Sequence, residues 1–182
     1  NDDTGLAGCA TGRQSQVLAQ FGAGTYYLVL SGCGQGAASV RFQHLPVGSG
    51  AVTQITSVAT GMQTFTGTTA GTGVLTQSCT TAPGPETPYW FTAGQGFTAL
   101  SYTATTCGGT PLWDSVLEQR SAARMPLAVC NDDTGGTCGV QSTITGSIPA
   151  GPGLHSLYVD GYSTTALGVY TLNLRVGLCA TR

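Results

Sequence analysis

The chain contains no lysine, and its six basic residues are all arginine. Charged residues make up 8% of the sequence, against about 25% in ordinary soluble domains. With a net charge of -2, the chain has no basic surface of the kind that holds phosphates, so we expect no nucleic-acid partner. No apolar run reaches the roughly 18 residues that a membrane span needs, and we expect none.

Zinc ligands are also scarce, because the seven cysteines show no CxxC spacing and only two histidines are present. Seven cysteines in 182 residues favour an oxidising compartment. We therefore expect a secreted protein, extracellular or at the cell surface, whose leader has already been removed. The low charge is typical of a secreted protein from an organism that favours arginine, or of a surface that contacts copies of itself.

Helical signals are sparse. The best candidate spans residues 113–125, but it is short and is followed by Pro126, so we expect no real helix there. Strand signals recur, separated by glycine and proline clusters. The predicted strands are 25–30, 51–58, 89–92, 97–102, 154–159 and 169–176. Many short strands with frequent turns predict an all-β sandwich or barrel.

An internal repeat organises the chain. The sequence Asn-Asp-Asp-Thr-Gly occurs at residues 1–5 and again at 131–135, and a cysteine follows each copy, Cys9 and Cys138. A similar turn and strand come next, at 22–32 and at 149–161. We predict a duplication in which residues 1–47 are the C-terminal half of a domain and residues 48–182 are a complete domain.

Four segments together resemble the bacterial pre-peptidase C-terminal domain family. They are Trp-Asp-Ser-Val-Leu at 113–117, Cys-Asn-Asp-Asp at 130–133, Leu-Tyr-Val-Asp-Gly-Tyr at 157–162 and Gly-Val-Tyr-Thr-Leu at 168–172. The resemblance implies a jelly-roll-like antiparallel β-sandwich, present as one full copy and one half copy. It also implies a non-catalytic appendage of exported enzymes, of a kind that in some relatives binds calcium or matrix polymers.

The Asn-Asp-Asp loops are the candidate metal site. Adjacent carboxylates repel unless something neutralises them, and calcium takes six to eight oxygen ligands. Asp132 and Asp133 are candidate ligands, Asp114 joins them because the family pattern carries an acid there, and Asp2 and Asp3 would serve the first copy. Calcium is therefore the candidate cofactor. The alternative is an Asx-turn, in which these side chains bond their own backbone.

Catalytic signals are weak, and we predict that the chain is not an enzyme. It has no Gly-x-Ser-x-Gly elbow. His44 and His155 lie in strand-like runs, where surface or edge-strand positions are more common than catalytic ones. Glu86 and Glu118 are the only glutamates, and nothing around them indicates a glycosidase pair.

Three consecutive aromatic residues, Tyr89, Trp90 and Phe91, place at least one ring on the outer side of a strand. An outward ring would suit a glycan platform or an assembly contact. Core packing between two sheets is the favoured use.

An odd number of cysteines leaves one without a partner in the chain. We expect two bridges in the complete domain, Cys130–Cys138 around the Asn-Asp-Asp loop and Cys79–Cys107 between strands. Three cysteines remain, Cys9, Cys33 and Cys179. A Cys33–Cys179 bridge stays open, and Cys9 has lost its expected mate.

The leading functional hypothesis is a structural or adhesive subunit of an extracellular fibre or surface layer. Residues 1–47 would complete their fold with strands from another copy of the chain, or from an upstream piece of the same precursor that was cut away and retained, because an open sheet edge is a template for pairing. The competing hypothesis is an accessory module that binds polysaccharide or matrix for a secreted bacterial enzyme. A calcium-dependent lectin is a third, on fold analogy alone.

Overall fold

The computed structural model describes residues 25–29, 40, 53–55, 61–81, 83–93, 99–108, 113–121, 126–149 and 153–178. Within these ranges the chain forms nine β-strands and a 3-10 turn at Gly136–Cys138. The strands are β1 (Thr53–Gln54), β2 (Gly61–Thr69), β3 (Thr87–Ala93), β4 (Leu100–Thr105), β5 (Ser115–Ser121), β6 (Pro126–Asn131), β7 (Thr143–Ile148), β8 (Gly153–Gly161) and β9 (Gly168–Leu178).

The strands form two sheets. One has five strands in the order β1-β3-β8-β5-β6, and the other has four in the order β2-β9-β4-β7. The short β1 runs parallel to β3, and the remaining pairs are antiparallel. The expected all-β sandwich is confirmed, whereas the predicted duplication stays a prediction because most of residues 1–47 lies outside the described ranges.

The core lies between the sheets and follows from the alternation of side chains along each strand. In β4 the buried residues Leu100, Tyr102 and Ala104 alternate with half-buried Ser101 and Thr103. The same period in β9 turns four side chains inward, those of Tyr170, Leu172, Leu174 and Val176.

Buried tyrosine hydroxyls join the two sheets through the core. The hydroxyls of Tyr89 (β3) and Tyr170 (β9) lie 2.9 Å apart. The hydroxyl of Tyr102 (β4) donates to Oε1 of Gln119 (β5) at 2.7 Å. Buried tyrosine hydroxyls need such partners, so these bonds fix how the two sheets face each other.

Several predicted strands are confirmed. Residues 89–92 lie in β3, 154–159 in β8 and 169–176 in β9. Of the strand predicted at 51–58, the described residues form β1. Residues 25–29, where a strand was also predicted, have no regular structure. In the segment 113–125, where no real helix was expected, the structure forms β5.

The aromatic run divides as strand geometry requires. Tyr89 and Phe91 are buried in the core, and Trp90 is half-buried on the opposite face of β3. His155 differs from the prediction of an edge or surface position. It lies on β8, between β3 and β5, and its buried ring stacks on that of Phe91 at 5.2 Å.

The predicted disulfide pairing is wrong. The structure links Cys79 to Cys130 and Cys107 to Cys138. Cys107 follows the end of β4, which pairs with the start of β7 (Thr105 opposite Thr143), so it lies beside the loop that holds Cys138. The neighbour across the sheet thus determines the partner of Cys138, whereas the prediction of a Cys130–Cys138 bridge relied on closeness along the chain.

Candidate metal centre

Three aspartates meet at one end of the sandwich. Asp114 comes directly before β5, and Asp132 and Asp133 come directly after β6. Since β5 and β6 are antiparallel neighbours, the start of one lies beside the end of the other. Carboxylate oxygens of all three residues lie within 4.8 Å of one another. The grouping predicted for the second copy is thus present, whereas Asp2 and Asp3 lie outside the described residues.

The turn itself is held by Asn131. Its Oδ1 accepts hydrogen bonds from the Thr143 amide at 3.0 Å and the Thr134 hydroxyl at 3.2 Å. Its Nδ2 donates to the carbonyl of Asp133 at 3.3 Å. The local hydrogen bonds of the turn are therefore made by the asparagine, whereas the carboxyl groups of Asp114 and Asp132 share a hydrogen bond with each other.

The two inner carboxylates are under electrostatic strain. Asp114 and Asp132 are half-buried, and the Oδ1 atom of each is buried without a hydrogen-bond partner. Burial, followed by the charges of Asp114 and Asp133, raises the pKa of Asp132 to about 6. Burial and the charge of Asp133 also raise the pKa of Asp114. A proton or a cation relieves this repulsion.

The donor set suits a hard cation. All the side-chain donors are carboxylate oxygens, and calcium prefers oxygen ligands in a flexible arrangement. The exposed Asp133 leaves the cluster open to solvent. Asp114, Asp132 and Asp133 are the residues that would hold the ion.

Sequence reasoning missed a second acidic group, on the outer face of the five-stranded sheet. Glu86, Glu118 and Asp160 are fully buried there with one cation, Arg120, which is 6% exposed. Burial, and next the charge of Glu86, raises the pKa of Asp160 to about 8. The sequence signal for this group is the Val-Asp-Gly segment at 159–161, which belongs to the family pattern but does not by itself indicate a buried acid.

This second group fastens the connection between β2 and β3 onto the sheet. Arg120 Nε pairs with Glu118 Oε2 at 2.5 Å, and Arg120 Nη2 donates to the Thr76 carbonyl at 2.5 Å. Glu118 Oε1 accepts the Ser78 amide at 3.0 Å. The carboxylate of Glu86 accepts the Val74 amide.

The structure shows what surrounds most of the candidate catalytic residues. Glu86 and Glu118 bind backbone amides of the β2–β3 connection. His155 stacks on Phe91, and burial lowers its pKa. His44 lies outside the described residues. The absence of enzymatic activity stays a prediction.

No family model and no curated protein matches this chain. Among solved structures, it is similar to the pre-peptidase C-terminal domain of a collagenase from Bacillus anthracis, with 16% identity, a TM-score of 0.41, and coverage of 74% of this chain and 99% of that one. It is also similar to PliG, a periplasmic inhibitor of g-type lysozyme from Aeromonas hydrophila, with 12% identity, a TM-score of 0.39, and coverage of 69% and 97%. Both likenesses are too distant to assign a ligand or an activity to this chain.

In the part of the chain that the structure describes, no helix has the length and hydropathy needed to cross a membrane.

Proposed function

We propose that this chain is a non-catalytic extracellular module, structural or adhesive, whose fold is stabilised by calcium at the Asp114, Asp132 and Asp133 cluster. The observation that carries the proposal is the approach of three carboxylates to within 4.8 Å, two of them with buried oxygens that lack a hydrogen-bond partner. Such a group is unfavourable by itself and favourable around a divalent ion.

Calcium binding at this point would join two parts of the fold. One ligand precedes β5 and the other two follow β6, so the ion would hold the loop 132–141 against the start of β5. An ion that binds the folded state alone stabilises it by about 2.7 kcal/mol at a hundredfold excess over its dissociation constant.

Thermal melting with calcium or with a chelator tests this proposal. The wild-type chain should melt at a lower temperature in the chelator, and Asp133→Ala should remove most of that difference. Thr137→Ala is the matched control, because Thr137 is an exposed residue of the same loop. A wild-type melting temperature that is the same in calcium and in chelator would end the proposal.

We also propose that the chain assembles into a fibre or surface layer through residues 1–47. A specific observation favours this candidate: in the isolated chain Tyr27 is 88% exposed and Val29 is 82% exposed. An exposed run of large apolar side chains indicates a surface that another element covers. Addition of a strand from a second copy would cover it, and a head-to-tail contact of this kind generates a filament.

Electron microscopy of the full chain and of two variants tests assembly. Ordered polymers are expected from the wild type, and both Tyr27→Asp and deletion of residues 1–47 should abolish them. If the deleted chain polymerises as the full chain does, residues 1–47 are not the connector. A wild type that stays monomeric and is retained on polysaccharide would favour the accessory-module alternative.

A further inference from the structure

Hydroxyl side chains predominate on the outer face of the four-stranded sheet, which also carries the exposed apolar side chains of Met62 and Val169. Alternation along the strands turns every second residue of β2, β4, β7 and β9 away from the core. The register brings these residues into rows across the sheet. One row is Thr64, Asn173, Thr105 and Thr143, the next is Met62, Arg175, Thr103 and Thr145, and a third contains Gly177, Ser101 and Ser147.

A concavity of about 290 Å³ lies on this face, lined by Ser101, Tyr102, Thr103, Thr145, Arg175 and Gly177. Gly177 leaves its floor open, since a Cβ atom there would meet nothing closer than Ser101 Oγ at 3.6 Å. The volume is near the lower end of the range for small-ligand sites, about 300 Å³. One sugar ring with its substituents fits such a space.

Arg175 is the one charged residue among the described residues of this face. It is exposed, and the one ion pair between described residues is the distant Arg120–Glu118 pair. The described acids lie elsewhere, in the aspartate cluster or beneath the β2–β3 connection. The cross-strand neighbours of Arg175 are Thr103 on one side and Met62 on the other, and no described acid lies beside it. A guanidinium in this setting is complementary to a carboxylate on a molecule rich in hydroxyls.

We infer that this concavity binds an acidic polysaccharide, with Arg175 forming a bidentate pair with a uronate carboxylate. Ser101, Thr103 and Thr145 then exchange hydrogen bonds with the sugar hydroxyls, because each hydroxyl both donates and accepts. A single arginine does not suit a nucleic acid, whose binding depends on many phosphate contacts. The inference rests on the adhesive, non-catalytic part of the proposed function and is independent of calcium binding.

Titration of the full chain with a fluorescent hyaluronan octasaccharide tests the inference, with a neutral chitin oligosaccharide of similar length as the reference ligand. Calcium is kept saturating throughout. The wild type should bind hyaluronan more tightly than the neutral oligosaccharide, and added salt should weaken the binding. Arg175→Gln should weaken it at least about tenfold, since a hydrogen bond to a charged group is lost.

Two further variants test the shape and the hydroxyls of the site. Gly177→Val fills the floor with a residue that suits a strand and should reduce hyaluronan binding strongly. Thr103→Val removes one hydroxyl at constant shape and should reduce it several-fold. Thr66→Val is the matched control, an exposed threonine on the same face outside the concavity, and it should bind as the wild type does.

Equal binding of hyaluronan by wild type and Arg175→Gln would overturn the inference, and so would equal affinity for the neutral oligosaccharide. A single-stranded oligonucleotide of the same charge that binds as tightly, and through Arg175, would also overturn it by making the site a general anion patch. If the wild type fails to bind hyaluronan but keeps its calcium-dependent melting shift, this site alone is refuted. If the wild type binds hyaluronan but shows no such melting shift, the calcium proposal alone is refuted.

Discussion

Removing the arginine of the buried ion pair should greatly lower the denaturant concentration at which the chain unfolds. Arg120→Met keeps the length and apolar stem of the side chain but leaves Glu118, whose side chain is 0% exposed, without its cation. Breaking a buried pair in this way costs about 3–5 kcal/mol, because an uncompensated charge remains in the interior. The variant also loses the bonds from Arg120 to the Thr76 carbonyl and to Gln77 Oε1.

Urea unfolding with disulfides intact and calcium saturating measures this loss. The double variant Glu118→Gln with Arg120→Met should be more stable than Arg120→Met alone, since one fewer buried carboxylate then lacks its cation and the glutamine still accepts the Ser78 amide. Arg175→Met is the matched control, an exposed arginine whose loss should change the free energy of unfolding by about 0.5 kcal/mol or less. A loss below about 1 kcal/mol for Arg120→Met would refute the account of the buried pair.

Two further results are expected. Asp160 has a folded-state pKa of about 8 against an ordinary 3.8, so between these pH values the folded state binds a proton that the unfolded state lacks, and the free energy of unfolding falls as pH rises. Asp160→Asn should reduce this fall. The same dependence of the free energy of unfolding on pH in both proteins would contradict the prediction. Peptide mapping without reduction should recover Cys79 linked to Cys130 and Cys107 linked to Cys138. A peptide in which Cys130 is linked to Cys138 would instead support the pairing expected from the sequence.

Side-chain periodicity and glycine punctuation were sufficient to predict the class of fold. β3, β8 and β9 could be found because aromatic and branched residues are concentrated in them. β2 was missed since its sequence, Gly-Met-Gln-Thr-Phe-Thr-Gly-Thr-Thr, carries few apolar residues and most of its side chains are exposed. β5 was missed because Glu, Gln and Arg, which favour helices, lie within it. These three residues lie in a strand because the groups that they contact belong to segments distant along the chain, and these contacts outweigh the local preference for a helix.

The aspartate cluster could be predicted because its members are close to each other in sequence or belong to a known pattern. The buried group of Glu86, Glu118 and Asp160 could not, because these residues come from three separate segments that only the sheet order brings together. The disulfide pairing was predicted wrongly for the same reason. Contacts between distant segments depend on topology, and periodicity along one strand carries no information about it.

Calorimetric titration of chelator-stripped protein with calcium measures ion binding itself. Saturable binding is expected at the cluster of Asp114, Asp132 and Asp133, and Asp132→Asn should weaken it. The binding should also strengthen as pH rises through about 6, where Asp132 loses the proton that competes with the ion. Absence of saturable binding at neutral pH, or binding that Asp114→Asn and Asp132→Asn leave unchanged, would contradict the calcium proposal.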